Sequence, residues 1–273
     1  MEKLPVKLIA LDLDDTLLND KREIDDLNVE VLRECAKKGI YVVLCSGRAE
    51  DGILPFVRRL EIAGKPAGKY LIAINGCSIF DMHMRQQIFC QKVPGDVLVR
   101  ANEIAEEHGL RSEVYTADTV YFAERTKWTM LDADMCGLKS EVVENYGDFL
   151  TQGFTKMLIP GEPEELQKLQ QILKEELGDK AEIFTSKPYF LELLPRDCGK
   201  GQSVVWLAEH IGIGADSTMG FGDGMNDESL IRMTKYGVAM CNGVEYIRNI
   251  ADYITEFDNN HNGVGEFIRK HVL

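Results

Sequence analysis

The chain has 273 residues, with 45 Asp and Glu against 31 Lys and Arg, a formal net charge of −14. Such an acidic chain lacks the clustered cations that counterion release from a polyphosphate requires, which excludes a nucleic-acid partner. An anionic ligand would need locally placed cations or a metal.

Hydrophobic content of 45% is ordinary for a globular protein. The length allows one large domain or two. No apolar run approaches the roughly 20 residues of a membrane helix. Glu2 and the early Asp12 do not fit the layout of a secretory signal, so a cytoplasmic protein with no membrane partner is expected. Seven cysteines, an odd number with no C-x-x-C pair, are expected to be buried free thiols.

In chain order, Val6 to Leu13 is an apolar run of the kind that forms a buried parallel strand. Asp25 to Lys38 carries Leu27, Val31 and Cys35 at helical spacing and ends at Gly39. A strand at Ile40 to Cys45, a helix to about Leu60 and a strand at Tyr70 to Ile74 extend this to βαβαβ. The rhythm then changes to shorter strands with hairpin signals, Val114-Tyr115 against Val120 to Ala123, and helices at Asp96 to His108 and Glu162 to Leu177. From Gly201 the βα alternation resumes, with strands around Thr218 to Phe221 and Gly237 to Met240, a helix from Asn226 and a last helix ending at Val272. The simplest parse is an α/β protein with a discontinuous parallel-sheet core, residues 1–83 and 195–273, and an inserted α+β domain at 84–194.

In an open parallel sheet, ligands bind beyond the carboxyl ends of the strands. Three such ends carry unusual chemistry. Asp12-Leu13-Asp14-Asp15-Thr16 offers two carboxylates two residues apart, although an Asp at a strand end is as often a turn or cap residue. Ser46-Gly47-Arg48 could grip an anion, yet Ser46 alone reads as a helix N-cap. Gly222-Asp223-Gly224-Met225-Asn226-Asp227 joins acids and an amide to more glycine than a plain turn needs. Lys200 opens a helix, where a cation is unfavourable unless an anion compensates it. Asp258 to Gly263 matches half a calcium loop, but Arg269 stands where a bidentate Glu is required. The five histidines form no zinc motif.

Together these residues resemble the haloacid dehalogenase superfamily. Asp12 to Thr16 reads as its D-x-D-x-T motif, and Ser46, Lys200 and Gly222 to Asp227 follow in order. With Ile74-Asn75-Gly76, Val238-Ala239-Met240 and Asn262-Gly263-Val264, the chain is similar to the Cof-type sugar phosphatases, YidA-like with a type IIB cap. One departure is Cys241-Asn242-Gly243, in a flanking turn.

The resemblance implies a Rossmann-like core with helices on both faces and a cap that selects the substrate. It implies a Mg²⁺-dependent phosphatase of small phosphorylated metabolites, foremost sugar phosphates. In that reading Asp12 is the nucleophile, Asp14 the general acid and base, and Lys200 both catalytic and substrate-binding. Leu13, Ser46, Gly47 and Asn226 also bind substrate. Asp12, Asp14 (through its backbone carbonyl) and Asp223 hold the metal, while Thr16 and Asp227 support them from behind. A phosphomutase or a non-catalytic phosphometabolite sensor on the same scaffold are the alternatives. The aromatics Tyr115, Tyr121 and Trp128 of the insert are read as packing residues, and no lid role is assigned to them or to Arg125 in the same region. Oligomeric state is not legible.

Overall fold

The computed structural model describes residues 3–273, so Glu2, which entered the reading of the N-terminus, lies outside the described residues. β1 (Leu8–Leu11) is apolar and buried at all four positions, as a strand covered on both faces requires. α1 (Asp26–Lys37) buries Val31, Leu32 and Cys35 and stops before Gly39. β2 (Tyr41–Cys45), α2 (Glu50–Leu60) and β3 (Tyr70–Ala73) complete the expected βαβαβ run, with β1, β2 and β3 parallel neighbours. β4 (Ser78–Asp81) then returns antiparallel to β3, and β5 (Gln86–Cys90) follows at the edge. The sheet is therefore mixed at one end, which the turn at Asn75-Gly76 makes possible.

The next stretch holds α3 (Gly95–Glu107), β6 (Glu113–Tyr115), β7 (Thr119–Phe122), α4 (Leu131–Cys136), β8 (Lys139–Val142) and α5 (Tyr146–Leu150). β9 (Met157–Pro160), α6 (Pro163–Leu177), β10 (Ala181–Lys187) and β11 (Phe190–Pro195) close it. The chain then resumes βα alternation with α7 (Lys200–His210), β12 (Thr218–Gly222), α8 (Glu228–Met233) and β13 (Tyr236–Ala239). α9 (Glu245–Ile250), β14 (Tyr253–Ile254) and α10 (Gly263–His271) end it. α9 and β14 escape a periodicity argument because six and two residues are too few to show a period.

Two compact units result. The first runs to Gly47 and includes Ile53–Phe89 and Gly199–Leu273; the second is Arg48–Gly52 with Cys90–Cys198. In the first, eight strands order as β14-β13-β12-β1-β2-β3-β4-β5. Val204, Leu207, Ala208 and Leu230 from α7 and α8 pack on Leu8, Ala10, Val43 and Ile72. On the opposite face Phe267 of α10 meets Phe221 edge-on, and Asn28 of α1 accepts from the Gly265 N–H at 2.8 Å.

In the second unit, six strands order as β10-β11-β9-β6-β7-β8. Val97, Leu98 and Ala101 of α3 and Leu166, Leu169 and Leu173 of α6 join Val114, Met157, Ile159, Leu191 and Leu193 in one apolar cluster. These strand residues alternate with Glu113, Tyr115, Leu158 and Glu192, which alternation assigns to the other face of the sheet.

All seven cysteines are free, but only Cys35, Cys45 and Cys77 are buried. Cys90 is exposed and Cys136, Cys198 and Cys241 are half-buried. No helix among the described residues is long and apolar enough to cross a membrane.

The turn after β3 depends on a close approach. A Cβ on Gly76 would stand 2.3 Å from the Gly199 carbonyl oxygen, and the residue has φ +100°. Gly76→Ala is expected to cost about 1–3 kcal/mol in urea denaturation. Gly64→Ala, where nothing lies within 4 Å, should be neutral or slightly stabilising. Equal effects of the two substitutions would contradict this packing.

Candidate active site

β12, β1, β2 and β3 are consecutive in the sheet and parallel, so their carboxyl ends lie side by side. Asp12 follows β1, Ser46 follows β2, Asn75 lies just past β3 and Asp223 follows β12. The Asp12 N–H still donates to the Phe221 carbonyl at 3.1 Å, which fixes its height above the sheet. Beyond it the chain makes a wide turn closed by the Leu18 N–H on the Leu13 carbonyl at 2.9 Å, with Asp15 left-handed at φ +62°. Leu13 and Leu17 are fully buried and anchor that turn. Leu13 can therefore meet a ligand only through its backbone.

Lys200 is the first residue of α7 and is 0% exposed. Its Nζ lies 2.5 Å from Asp12 Oδ1 and 2.5 Å from Asp227 Oδ1. Asp227 Oδ2 accepts from the N–H groups of Asp223 and Gly224, both at 3.0 Å. Both oxygens of Asp227 are thus committed. Gly222 permits this, since a Cβ there would stand 2.4 Å from the Asp227 Cβ. Thr16 Oγ1 donates to Asp223 Oδ1 at 2.7 Å, joining the first motif to the fourth.

Asp12, Asp223 and Asp227 bring carboxylate oxygens within 4.8 Å of one another. Three acids around one lysine leave an excess of negative charge away from bulk water. Burial, and then the Asp227 carboxylate, push the Asp12 carboxyl well above its ordinary range. Burial and Asp227 likewise push Asp223 up to about 7. Burial alone would lower the Lys200 ammonium, but Asp12 and Asp227 outweigh it and raise it. A hard divalent cation fits this donor set, which is all oxygen and short of positive charge. Asp12 and Asp223 would hold it. Asp227, with both oxygens engaged, braces Lys200 and the Asp223 loop instead.

The remaining expected residues fall around this trio. Asp14 is half-buried on the turn after Asp12, outside the three-carboxylate group. Ser46 is 1% exposed, donates its N–H to the Ile72 carbonyl and accepts from the Asn75 N–H, both at 3.0 Å. Since α2 begins only at Glu50, Ser46 is no N-cap and continues the strand edge. Gly47 follows it. Asn226 is exposed and donates from Nδ2 to Asn75 Oδ1 at 3.2 Å.

Asn75 is the residue to which the sequence assigned no role. It has φ +50° and follows Ile74 at φ +51°, an outlier for a β-branched side chain. Its amide sits where a Cβ on Gly47 would be 3.1 Å from Asn75 Oδ1, so it links the second and fourth motifs. The available signal was an Asn-Gly pair at a strand end.

Asn242, in the departing turn, donates to the Asp15 carbonyl at 2.8 Å and so ties that turn to the first motif. Asp258 caps its own loop, accepting from the Asn260 N–H at 3.0 Å. Tyr121 packs against Phe149, and Arg125 bonds Ser140.

Residues 9–268 match the haloacid dehalogenase-like hydrolase family. The chain is 28% identical to the 5-amino-6-(5-phospho-D-ribitylamino)uracil phosphatase of Bacillus subtilis, over 100% of this chain and 98% of that one. A haloacid dehalogenase-like hydrolase of Bacteroides thetaiotaomicron superposes with a TM-score of 0.88 at 32% identity, covering 97% of this chain and 99% of the other. A subclass IIB sugar phosphatase shares the fold, with a TM-score of 0.80 at 20% identity over 97% and 98% of the two chains.

The raised acids set a pH signature. Between the ordinary carboxyl range near 3.8 and about 7, the folded protein holds a proton on Asp223 that the unfolded chain has lost. Stability from this group therefore falls as pH rises through that window. A divalent cation substitutes for the proton, so Mg²⁺ should raise Tm more at about pH 8 than at about pH 5.5. Equal increments in thermal melts would contradict the site.

Proposed function

The chain belongs to the haloacid dehalogenase-like hydrolase family and is a phosphatase, and from that premise we propose that it hydrolyses small phosphorylated metabolites, sugar phosphates foremost, with Mg²⁺ as cofactor. The observation that carries this reading is Lys200, fully buried and 2.5 Å from both Asp12 and Asp227. A lysine held there has no apolar role. It presents positive charge where a phosphoryl oxygen would lie against the Asp12 carboxylate.

Phosphate-monoester hydrolysis is among the slowest uncatalysed reactions, with accelerations up to about 10²¹. General acid–base catalysis contributes only about 10²–10⁴, so a nucleophile and charge neutralisation must share the work. Asp12 attacks phosphorus and forms an aspartyl-phosphate as the alkoxide departs. Asp14, two residues on, gives that alkoxide its proton and then takes one from the water that hydrolyses the intermediate. Ser46, the backbone N–H groups of Leu13 and Gly47, Lys200 and Asn226 hold the transferring oxygens. Asn75 aligns Gly47 with Asn226. Thr16 and Asp227 orient Asp223 and Lys200. Mg²⁺, held by Asp12, Asp223 and the Asp14 carbonyl, supplies charge that offsets the repulsion between the carboxylate and a dianionic phosphate.

The inserted unit, which runs over Cys90–Cys198 where the sequence suggested 84–194, acts as the cap that selects the substrate, and the phosphorylated ribitylamino-uracil of the Bacillus relative illustrates the size of metabolite expected.

Asp12→Asn should reduce turnover of p-nitrophenyl phosphate by at least about 10³-fold, since no general acid replaces a lost nucleophile. Retained activity would refute covalent catalysis. Stoichiometric release of inorganic phosphate from a hexose monophosphate, with no bisphosphate activator, separates hydrolysis from mutase chemistry.

A further inference from the structure

The turn after β1 is wide, and a wide turn holds its own middle poorly. The bond that closes it, from the Leu18 N–H to the Leu13 carbonyl, spans a larger ring than a helical turn, and Asp14 and Asp15 inside it leave the helical backbone. Its flanks are fixed by burial, with Leu13, Thr16 and Leu17 each at most 1% exposed. Asp14 is half-buried and Asp15 is exposed. Asp15 also takes left-handed backbone, which an aspartate tolerates but does not prefer. The residue read as the general acid thus sits on the part of the turn that packing holds least.

Asn242 supplies a hold from outside. Its Nδ2 donates to the Asp15 carbonyl at 2.8 Å, and its Oδ1 accepts from the Asn259 N–H at 3.2 Å. Both bonds need the same orientation of the amide, and a flipped amide would lose both. The backbone on either side of Asn242 is itself tied down. The Cys241 N–H donates to the Thr255 hydroxyl at 3.0 Å, and the Val244 N–H donates to the Asp223 carbonyl at 2.9 Å. A Cβ on Gly243 would stand 3.0 Å from Asp223 Cα, so this turn is pressed against the loop after β12.

Asn259 holds the far end of the same first-motif turn. It is 4% exposed, and its Nδ2 donates to the Leu18 carbonyl at 2.9 Å. Beside it Asn260 and Asp20 bond reciprocally, the Asn260 amide to the Asp20 carboxylate and the Asp20 N–H to the Asn260 amide oxygen, both at 3.0 Å. Asp258 Oδ1 accepts from the Asn260 N–H and lies 2.6 Å from His261 Nδ1, which commits it to its own loop. The segment that looked like half a calcium loop therefore serves as a brace for the first motif. Asp14, Asp15, Leu18, Asn242 and Asn259 all belong to the first unit.

We infer that Asn242, backed by Asn259, is a positioning residue for Asp14: by fixing the Asp15 carbonyl it sets the direction from which the Asp14 carboxyl meets the leaving oxygen. The inference rests on the phosphatase reading, in which that oxygen takes the Asp14 proton as its bond to phosphorus breaks and Asp12 bonds phosphorus. An exposed hydrogen bond contributes little to folding, whereas proton transfer depends steeply on distance and direction. Loss of Asn242 therefore shows in the chemistry before it shows in the melt.

The test compares full-length wild type, Asn242→Ala and Asn242→Asp, with Mg²⁺, on p-nitrophenyl and phenyl phosphate. The two esters have the same ring, but p-nitrophenolate departs without a proton and phenolate is a far poorer leaving group. Asn242→Asp keeps the acceptor for Asn259 and removes only the donor to Asp15. The quantity read is kcat/KM, which reports the loss of transition-state stabilisation relative to free enzyme and ester. In both variants the ratio of kcat/KM for p-nitrophenyl over phenyl phosphate should rise at least about fivefold, a part of the roughly 10²–10⁴ that general acid catalysis contributes. Amide hydrogen exchange in the metal-free variants should quicken in residues 13–18 and stay slow in β1. If Asn242→Ala does not fold, Asn242→Asp decides alone. Equal losses on the two esters, which a merely structural residue would give, or unchanged exchange in residues 13–18 would overturn the inference while leaving the phosphatase reading in place. A wild type that hydrolyses neither ester would overturn both.

Discussion

Lys200 carries a positive charge to a place with no solvent exposure, and two aspartates from distant parts of the chain keep it charged. Breaking a buried pair by removing one partner typically costs about 3–5 kcal/mol, because the other charge is left uncompensated. The rest of the site follows from that constraint. Asp227 must stay in contact with Lys200, which commits its second oxygen to the N–H groups of Asp223 and Gly224 and so shapes the loop after β12. Asp12 must lie on the other side, which requires β1 and β12 to be neighbours. The trio still holds more negative than positive charge. Its raised Asp12 and Asp223 are the expression of that surplus, and the same surplus makes it receptive to a divalent cation.

A second constraint is steric. Ile74 and Asn75 occupy left-handed backbone, a conformation costing about 1–3 kcal/mol for such residues unless the surroundings enforce it. Here the surroundings do so through Gly76, packed on the Gly199 carbonyl, whose own carbonyl accepts from Ser203 Oγ at 2.5 Å. The turn that holds Asn75 beside Gly47 is thus locked to the start of the helix that begins at Lys200. Backbone strain at one strand end and buried charge at the next are joined by a single turn of packing.

The loops of the candidate site were legible in the sequence because their residue types are unusual at strand ends. Paired carboxylates after β1, a helix that opens on lysine and a glycine-rich acidic turn each oppose ordinary propensity. Asn75 was picked out within Ile74-Asn75-Gly76, but its role was not legible, since an Asn-Gly pair reads as a turn and its contacts come from residues far away in sequence. Ser46 was placed at a strand end as a substrate-binding residue, and the helix-cap alternative falls away because the chain runs three residues further before α2 begins. The antiparallel β4 and the short α9 and β14 carry no period of their own.

The account turns on Asp12 as a nucleophile held by Lys200. The most direct measurement is a single turnover of a phosphomonoester labelled in its phosphoryl group, quenched in acid and mapped by mass spectrometry. The account predicts a transient, hydroxylamine-sensitive phosphoryl group on Asp12 that appears before free phosphate. Release of phosphate with no label on the protein at any time, at a rate unaffected by Asp12→Asn, would contradict it.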